Sequence, residues 1–161
     1  MIQVFENLYV GTNTDCQQVT AGFAVIHACK EPCHRQAVGY SGNLKASHPS
    51  YLMHLHGDRH LYLNMVDMDQ ELSPQYTHPI IERSMLFIER HIHDKKVLVH
   101  CNWGISRSPS IALLYMARKK AIGNATYDVA KNDFNAIYAA YIPGKGISGY
   151  MERYWANLLT I

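Results

Sequence analysis

The sequence is poor in charge and has no long apolar run. Only 17% of its 161 residues are charged and the net charge is +2, which is too little to indicate binding to nucleic acid or to an anionic membrane. No apolar stretch is long enough to span a bilayer, and the N-terminus lacks a signal-peptide pattern. Because 48% of the residues are hydrophobic and no repeat or linker interrupts them, we expect one compact domain over residues 1–161.

Cysteine is also scarce. The four cysteines stand at irregular spacings, which does not match the paired pattern of a disulfide framework. Free thiols persist in reducing compartments, so the cytosol is the expected location.

The most informative stretch runs from Lys96 to Lys120. Val97–Val99 is a short aliphatic run that is typical of a buried strand. Ser108–Lys120 carries apolar residues at helical spacing, and Pro109 fits a first helical turn. The pattern predicts a strand, a tight loop from Cys101 to Arg107, and a helix.

The chemistry of this loop suits a phosphate group. A loop that closes onto a helix N-terminus turns backbone N–H groups inward, and the helix dipole adds partial positive charge. Gly104 permits a sharp turn and a close approach to a ligand, and Arg107 can hold two phosphate oxygens at once. Such a setting lowers a cysteine pKa from roughly 8.5 to about 3.5–7.5. The loop is therefore predicted to bind phosphate and to aim the Cys101 thiolate at phosphorus.

These residues resemble a known family. His100-Cys101, five further residues and then Arg107-Ser108 resemble the active-site loop of the cysteine-dependent protein phosphatases, and Gly-Ile-Ser-Arg-Ser-Pro-Ser is most similar to the compact dual-specificity branch. Asn7–Gly11 resembles the opening strand of that branch. A structural cysteine with an unrelated arginine is the alternative, which the flanking strand and helix disfavour. The resemblance implies an α/β fold in which helices flank a central, mostly parallel sheet of four to five strands.

The resemblance also implies roles for the loop residues. Cys101 is the nucleophile and forms a cysteinyl-phosphate, Ser108 donates a hydrogen bond to the sulfur, and His100 orders the loop and tunes the thiolate. No metal and no other cofactor is required. The expected phosphate-binding residues are Asn102, Trp103, Gly104, Ile105, Ser106 and Arg107.

A proton donor for the departing oxygen is expected in the loop that follows the predicted strand Leu61–Val66. Phosphate transfer from an alcohol or a phenol needs this proton, and the resemblance places the acid in this loop. Asp69 lies 32 residues before Cys101, and Asp67 lies 34 residues before it. Alignment with the family's strand favours Asp69, and Asp67 remains the alternative.

The expected activity is hydrolysis of phosphomonoesters on proteins, phosphotyrosine first and phosphoserine or phosphothreonine second. The tyrosine-specific branch's Trp-Pro-Asp acid loop is absent, and no lysine stands between Gly104 and Arg107 of the kind that inositol-lipid phosphatases use. Trp103 departs from the family pattern. Its indole is expected either to stack on an aromatic substrate or to pack on a neighbouring loop. Expected partners are a phosphorylated protein or a small aryl phosphate, without nucleic acid or membrane. The rivals are a phosphate-binding module without turnover and a phosphatase acting on RNA ends or glycans.

The segment from Cys29 to His60 is the least predictable. It either shapes the mouth of the pocket, with Lys30 or Arg35 meeting substrate charge, or forms a solvated insertion. Its second half predicts an added hairpin around Gly57-Asp58.

The histidines and cysteines of this region raise the question of a zinc site, with two sets of candidate ligands. Zinc favours four converging ligands in regular pairs, and no second pair follows Cys29 and Cys33 at the expected distance, so no metal site is predicted. A disulfide from either cysteine to an oxidised Cys101 is a further alternative that spacing alone does not support. The candidate ligands are His27, Cys29, Cys33 and His34 in the first set, and His54, His56 and His60 in the second.

Four helices are predicted outside the central stretch, the last of them a packing helix that carries Tyr150, Tyr154, Trp155 and Leu158. Thr14 is a plausible N-cap of a short helix within residues 12–19. Apolar residues recur at helical spacing from Ile81 to Ile92, which predicts an amphipathic helix covering the sheet. A helix from Thr126 to Tyr141 is expected to turn Val129, Ile137 and Tyr141 to one side.

Overall fold

The computed structural model describes residues 1–161 and contains six strands and six α-helices. The strands are β1 (Ile2–Phe5), β2 (Leu8–Gly11), β3 (Phe23–His27), β4 (Met53–His56), β5 (His60–Leu63) and β6 (Lys96–His100). The helices are α1 (Asn13–Gln17), α2 (Arg35–Val38), α3 (Pro74–His91), α4 (Arg107–Arg118), α5 (Tyr127–Ile137) and α6 (Lys145–Leu158). A wide helical turn, Lys30–His34, leads directly into α2.

All six strands form one sheet in the order β1-β2-β6-β3-β5-β4. The four central strands are parallel, and β1 and β4 pair antiparallel at the two edges. The predicted α/β class with a mostly parallel central sheet is therefore confirmed. The sheet has six strands, one more than the largest number expected, because the hairpins at both edges each add an antiparallel strand.

Strand β6 lies in the middle of the sheet and carries the start of the predicted loop. Its residues from Val97 to His100 are all fully buried, although successive side chains point to opposite faces. Helices therefore cover both faces of the sheet at this point, as is usual for parallel strands. The end of β6 is thus a rigid base for the residues that follow it.

Helix α3 confirms the predicted amphipathic pattern. Ile81, Met85, Ile88 and Ile92 are all buried, whereas Leu86 on the opposite side is 56% exposed. Pro74 occupies the first turn, where its missing N–H is not needed. None of the helices is both long and apolar enough to cross a membrane.

The N-cap of α1 is Thr12, and the prediction of Thr14 was wrong. The Thr12 hydroxyl accepts a hydrogen bond from the Asp15 N–H at 3.4 Å, and the Asp15 carboxylate accepts one from the Thr12 N–H at 2.8 Å. This reciprocal pair satisfies two N–H groups that a helix start leaves free. The acidic residue three positions after Thr12 was the overlooked signal.

Helix α5 is shorter than predicted, and its buried side differs from the expected one. It begins after the N-cap Thr126 and ends at Ile137. Val129 and Ile137 are exposed, and the buried side is formed by Tyr127, Ala130 and Phe134. The aromatic rings of Phe134 and Tyr141 pack edge to face, so aromatic packing rather than the aliphatic residues sets the orientation of the helix.

Replacement of Ile88 should show how much the sheet depends on α3. We expect Ile88→Ala to lower the free energy of unfolding by about 2–5 kcal/mol, because it leaves a cavity in a fully buried site. The exposed Leu86→Ala on the same helix should change it by less than about 0.5 kcal/mol. Urea denaturation of both variants measures the difference, and equal losses would contradict this role for Ile88.

Candidate active site

The predicted loop, residues 101–107, connects β6 to α4. Cys101 follows the last residue of β6 directly and is only 2% exposed, at the base of the loop. The hydroxyl Oγ of Ser108, in the first turn of α4, donates a hydrogen bond to Cys101 Sγ at 3.2 Å. The geometry therefore places these two side chains together, as the sequence predicted.

The backbone of the loop presents a row of unused donors. None of the N–H groups from Asn102 to Arg107 donates a hydrogen bond to another group of the chain, whereas the Cys101 N–H donates to the Gly11 carbonyl at 3.4 Å. These donors end at the N-terminus of α4, where the helix dipole adds partial positive charge. Such a set of amides is suited to the oxygens of a bound phosphate dianion.

Gly104 is required at the sharpest point of the loop. Its φ of +69° lies in the left-handed region, and an added Cβ would lie 3.0 Å from the Gly11 carbonyl oxygen. Its own carbonyl accepts a hydrogen bond from the Tyr138 hydroxyl at 2.8 Å. Burial, and next the charge of Cys101, raise the pKa of Tyr138, so this phenol remains a donor at neutral pH. The tyrosine was not identified from the sequence because it lies on a distant segment.

The guanidinium of Arg107 has two of its nitrogen atoms hydrogen-bonded and one without a partner. Its guanidinium is almost buried, with Nη1 donating to the Met65 carbonyl at 3.0 Å and Nη2 donating to Asn102 Oδ1 at 2.8 Å. The Nε atom is buried without a partner. Asn102 in turn donates from Nδ2 to the Glu31 carbonyl at 2.9 Å. The side chain of Asn102 thus orients the arginine. From the sequence, Asn102 was predicted only to bind phosphate.

Ser106 contacts one of the two candidate acids. Its hydroxyl donates to Asp67 Oδ1 at 3.0 Å and accepts from the Gly144 N–H at 2.9 Å. The buried Ser106 side chain therefore joins the loop to the segment before α6 and to the acidic segment. This contact was not predicted, since residues that far apart in sequence share no local pattern.

Asp69 and Asp67 are both exposed, but Asp69, unlike Asp67, makes no hydrogen bond within the chain. The segment that carries it is fixed at both ends. The Met68 carbonyl accepts from the Gly146 N–H at 2.8 Å, and Glu71 forms an ion pair with Arg153. Asp69 is therefore an unengaged carboxyl group on a held segment.

His100 is fully buried behind the loop. Its Nε2 lies 2.8 Å from Nδ1 of His27. Burial lowers the pKa of His100 to about 4, so the ring is neutral at pH 7. A neutral, packed imidazole fits the expected role in ordering the loop and not that of an acid or base. From the sequence, His27 was named only as a candidate metal ligand.

Two loop side chains lie at the rim. Trp103 is 77% exposed and Ile105 is 39% exposed. Trp103 therefore does not pack on a neighbouring loop, which was one of its two expected roles. Their side chains are exposed, and their unpartnered backbone N–H groups belong to the row of free donors.

A cavity of about 530 Å³ lies beside the loop and not on it. Neither Cys101 nor Arg107 lines it, but Met65, whose carbonyl holds the arginine, forms part of its wall. Lys30 also lines this cavity, whereas Arg35 is occupied by an ion pair with Glu31. Part of the segment between Cys29 and His60 thus shapes a recess near the site. Its further residues in the wall of the cavity are Asn43, Leu44, Tyr51 and Leu52.

Comparison with known proteins agrees with this geometry. A sequence model described as the catalytic domain of the dual specificity phosphatases matches residues 15–138. The chain therefore belongs to the dual specificity phosphatase family, and the class of enzyme expected from the loop is confirmed.

Individual relatives are distant. The chain is 39% identical over 84 residues to the dual specificity protein phosphatase YVH1 of Plasmodium falciparum (isolate 3D7), a match that covers 52% of this chain and 13% of that protein. The chain thus spans a small part of that relative's length. The crystal structure of DUSP15 is similar with a TM-score of 0.67 and 18% identity, over 99% of this chain and 92% of that one. The crystal structure of the human tyrosine phosphatase-like serine/threonine/tyrosine-interacting protein is similar with a TM-score of 0.64 and 20% identity, over 98% of this chain and 96% of that one.

Replacement of Gly104 should damage the loop more than the fold. We expect Gly104→Ala to destabilise the protein by about 1–2 kcal/mol, through its positive φ and the close Gly11 carbonyl, and to weaken binding of vanadate or phosphate by about 10-fold. Gly149→Ala is the matched control, because that glycine lies in α6 with open space around it and alanine there should stabilise by about 0.5–1 kcal/mol. Urea denaturation and vanadate titration test both, and unchanged vanadate affinity in Gly104→Ala would contradict the cradle.

Proposed function

We propose that this chain hydrolyses phosphomonoesters through a cysteinyl-phosphate intermediate, and that its substrates are phosphotyrosine and, second, phosphoserine or phosphothreonine on proteins. The observation that carries the proposal is that one stretch of eight residues, from Cys101 to Ser108, carries three groups. They are the Cys101 sulfur with its Ser108 donor, the unused amides from Asn102 to Arg107, and the unpartnered Nε of the fixed arginine. This combination suits a dianion facing a thiolate.

In the first step, the Cys101 thiolate attacks phosphorus in line with the departing oxygen. The S–P bond forms as the P–O bond breaks, and the electron pair of the broken bond goes to the oxygen. Asp69 gives its proton to that oxygen, so an alcohol or a phenol leaves. Arg107 and the loop amides hold the three equatorial oxygens while charge shifts among them.

In the second step, the ionised Asp69 takes a proton from a water molecule whose oxygen attacks phosphorus. The S–P bond breaks, its electron pair returns to sulfur, and inorganic phosphate is released. The hydroxyl of Ser108, at 3.2 Å from the sulfur, stabilises the returning thiolate by a hydrogen bond. No metal or redox cofactor enters either step.

The surroundings of the site support a protein substrate. Exposed Trp103 offers an aromatic surface at the rim against which a phosphotyrosine ring or a flanking side chain can stack. The neighbouring cavity, largely apolar with Lys30 on its wall, offers space for residues next to the phosphorylated one. A net charge of +2 provides no broad basic surface for RNA ends.

Cys101→Ser tests the nucleophile. We expect turnover of p-nitrophenyl phosphate to fall to the uncatalysed rate, because a serine hydroxyl is not ionised in this setting, while vanadate or a phosphopeptide still binds. Release of nitrophenol and calorimetric titration measure the two properties. Residual turnover by Cys101→Ser near that of the wild type would contradict the assignment of the nucleophile. If the wild type itself binds phosphotyrosine peptides but never releases phosphate, the chain is a binding module and not an enzyme.

Asp69→Ala tests the acid with Asp67→Asn as the comparison. For a poor leaving group such as phenol, Asp69→Ala should lower kcat by roughly 100-fold or more, and the loss should be smaller for nitrophenol, which departs without a proton. Asp67→Asn should keep this leaving-group dependence, because Asp67 is engaged by Ser106. If Asp67→Asn abolishes the dependence and Asp69→Ala does not, Asp67 is the acid.

A further inference from the structure

A second cluster of reactive side chains lies directly behind the catalytic loop and takes no part in the proposed chemistry. The donor atoms of Cys16, His27 and His100 lie within 4.8 Å of one another, and so do those of Cys29, Cys33 and His100. His100 Nε2 therefore belongs to both groups. Cys29, His27 and His100 are buried, and Cys16 and Cys33 are half-buried.

The fold creates this cluster from four separate segments. His27 and His100 end the neighbouring parallel strands β3 and β6 and are register partners. Cys16 comes from α1, which follows β2 on the other side of β6, and Cys29 and Cys33 belong to the turn after β3. The carboxyl ends of parallel strands meet at one edge, so residues that show no zinc-like spacing in sequence converge there.

Hydrogen bonds between the histidine rings account for only part of the arrangement, because the sulfur atoms of Cys16 and Cys33 approach ring nitrogens that these bonds already use. His100 Nε2 lies 2.8 Å from His27 Nδ1 and 3.9 Å from Cys33 Sγ, and His27 Nδ1 also lies 3.5 Å from Cys16 Sγ. A ring nitrogen has one proton or one lone pair and can make one such bond. Nitrogen and sulfur atoms that all lie within 4.8 Å of one another are, in contrast, an arrangement that a bound cation can use.

We propose that this cluster is a binding site for a thiophilic divalent cation, with Zn²⁺ as the matching ion. His100 Nε2, Cys29 and Cys33 supply three ligands that already lie within 4.8 Å of one another, and a shift of Cys16 or His27, which form the second such group with His100, supplies the fourth. Thiolate and imidazole ligands in a tetrahedral set select zinc over magnesium or calcium, which prefer oxygen. The inference is independent of the proposed phosphatase mechanism, since the cation lies behind the loop and contacts no reacting atom.

The histidine originally grouped with these cysteines is not a ligand. The ring nitrogens of His34 are already used, with Nδ1 at 3.0 Å from the Tyr40 hydroxyl and Nε2 at 2.9 Å from the Ser50 carbonyl. His27, in contrast, has its remaining nitrogen Nε2 at 3.1 Å from His60 Nδ1. A hydrogen bond at that nitrogen fixes the orientation of a ligating imidazole, so His27 has the support that metal-bound histidines usually have.

A bound ion would act on the catalytic loop through its base. His100 immediately precedes Cys101, and its carbonyl accepts a hydrogen bond from the Ala28 N–H at 2.8 Å. An ion held by His100 and by Cys29 would join β6 to the turn after β3 at that point. Its effect is therefore on the position and stability of the loop, and His100 is a positioning residue.

The test is a titration of the full chain, stripped of metal by a chelator, with Zn²⁺ and in parallel with Co²⁺. We expect one Zn²⁺ per chain by elemental analysis, cobalt–thiolate charge-transfer absorption, and a thermal midpoint that rises with zinc concentration. Cys33→Ser should weaken zinc binding by at least roughly 100-fold, since loss of a residue that only orients a ligand already costs up to about that much. Cys33 is half-buried, so its replacement should leave the metal-free fold intact by circular dichroism.

The controls separate this site from other zinc-binding groups. Cys101→Ser and the exposed His56→Asn should both keep the wild-type zinc affinity. The fourth ligand is the residue whose replacement, Cys16→Ser or His27→Asn, also weakens binding. The proposal is overturned if the wild type retains no stoichiometric zinc, if Cys33→Ser binds zinc as tightly as the wild type, if neither Cys16→Ser nor His27→Asn has an effect, or if Cys101→Ser removes the metal.

Discussion

The organisation of the site depends on one buried cation. Arg107 is only 8% exposed, and a guanidinium in such a position is costly unless its N–H groups find acceptors. The Met65 carbonyl and the Asn102 amide oxygen supply two acceptors on one side of the group. The Nε–H group is left without an acceptor, so an anion bound to it would gain a hydrogen bond to a charged group. The charge that would stabilise a bound phosphate is therefore fixed in place by the fold before any ligand arrives.

The same contacts couple the segments on which the chemistry relies. Met65 lies between β5 and the acidic segment, and Asn102 is bonded to the turn after β3. Ser106 reaches Asp67 and the residue before α6. The loop, the acidic segment and the turn after β3 thus have their relative positions set by a few polar contacts around a well-packed sheet. Displacement of any of these segments would be felt at the others, because each shares a hydrogen bond with the loop.

Much of the site could be predicted from the sequence because its signals are local. The predicted nucleophile, the arginine and the serine after it lie within eight consecutive residues, and the turn and the helix start that join them have residue preferences of their own. The helix from Pro74 to His91 likewise follows from apolar periodicity, whereas the mostly parallel sheet was implied by the family resemblance. What could not be predicted depends on contacts between distant segments. Examples are the Tyr138 hydroxyl on the Gly104 carbonyl, the Asp67 contact to Ser106, and the convergence of His27 with His100.

Trp103 gives the site an optical property of its own. The chain has two tryptophans, and the other one, Trp155, is buried in α6 with its indole N–H bonded to the Asn124 carbonyl. Water-soluble quenchers therefore reach one indole and not the other. The quenchable part of the emission comes from the loop that surrounds the sulfur, so occupancy there can be followed by fluorescence without attaching a dye.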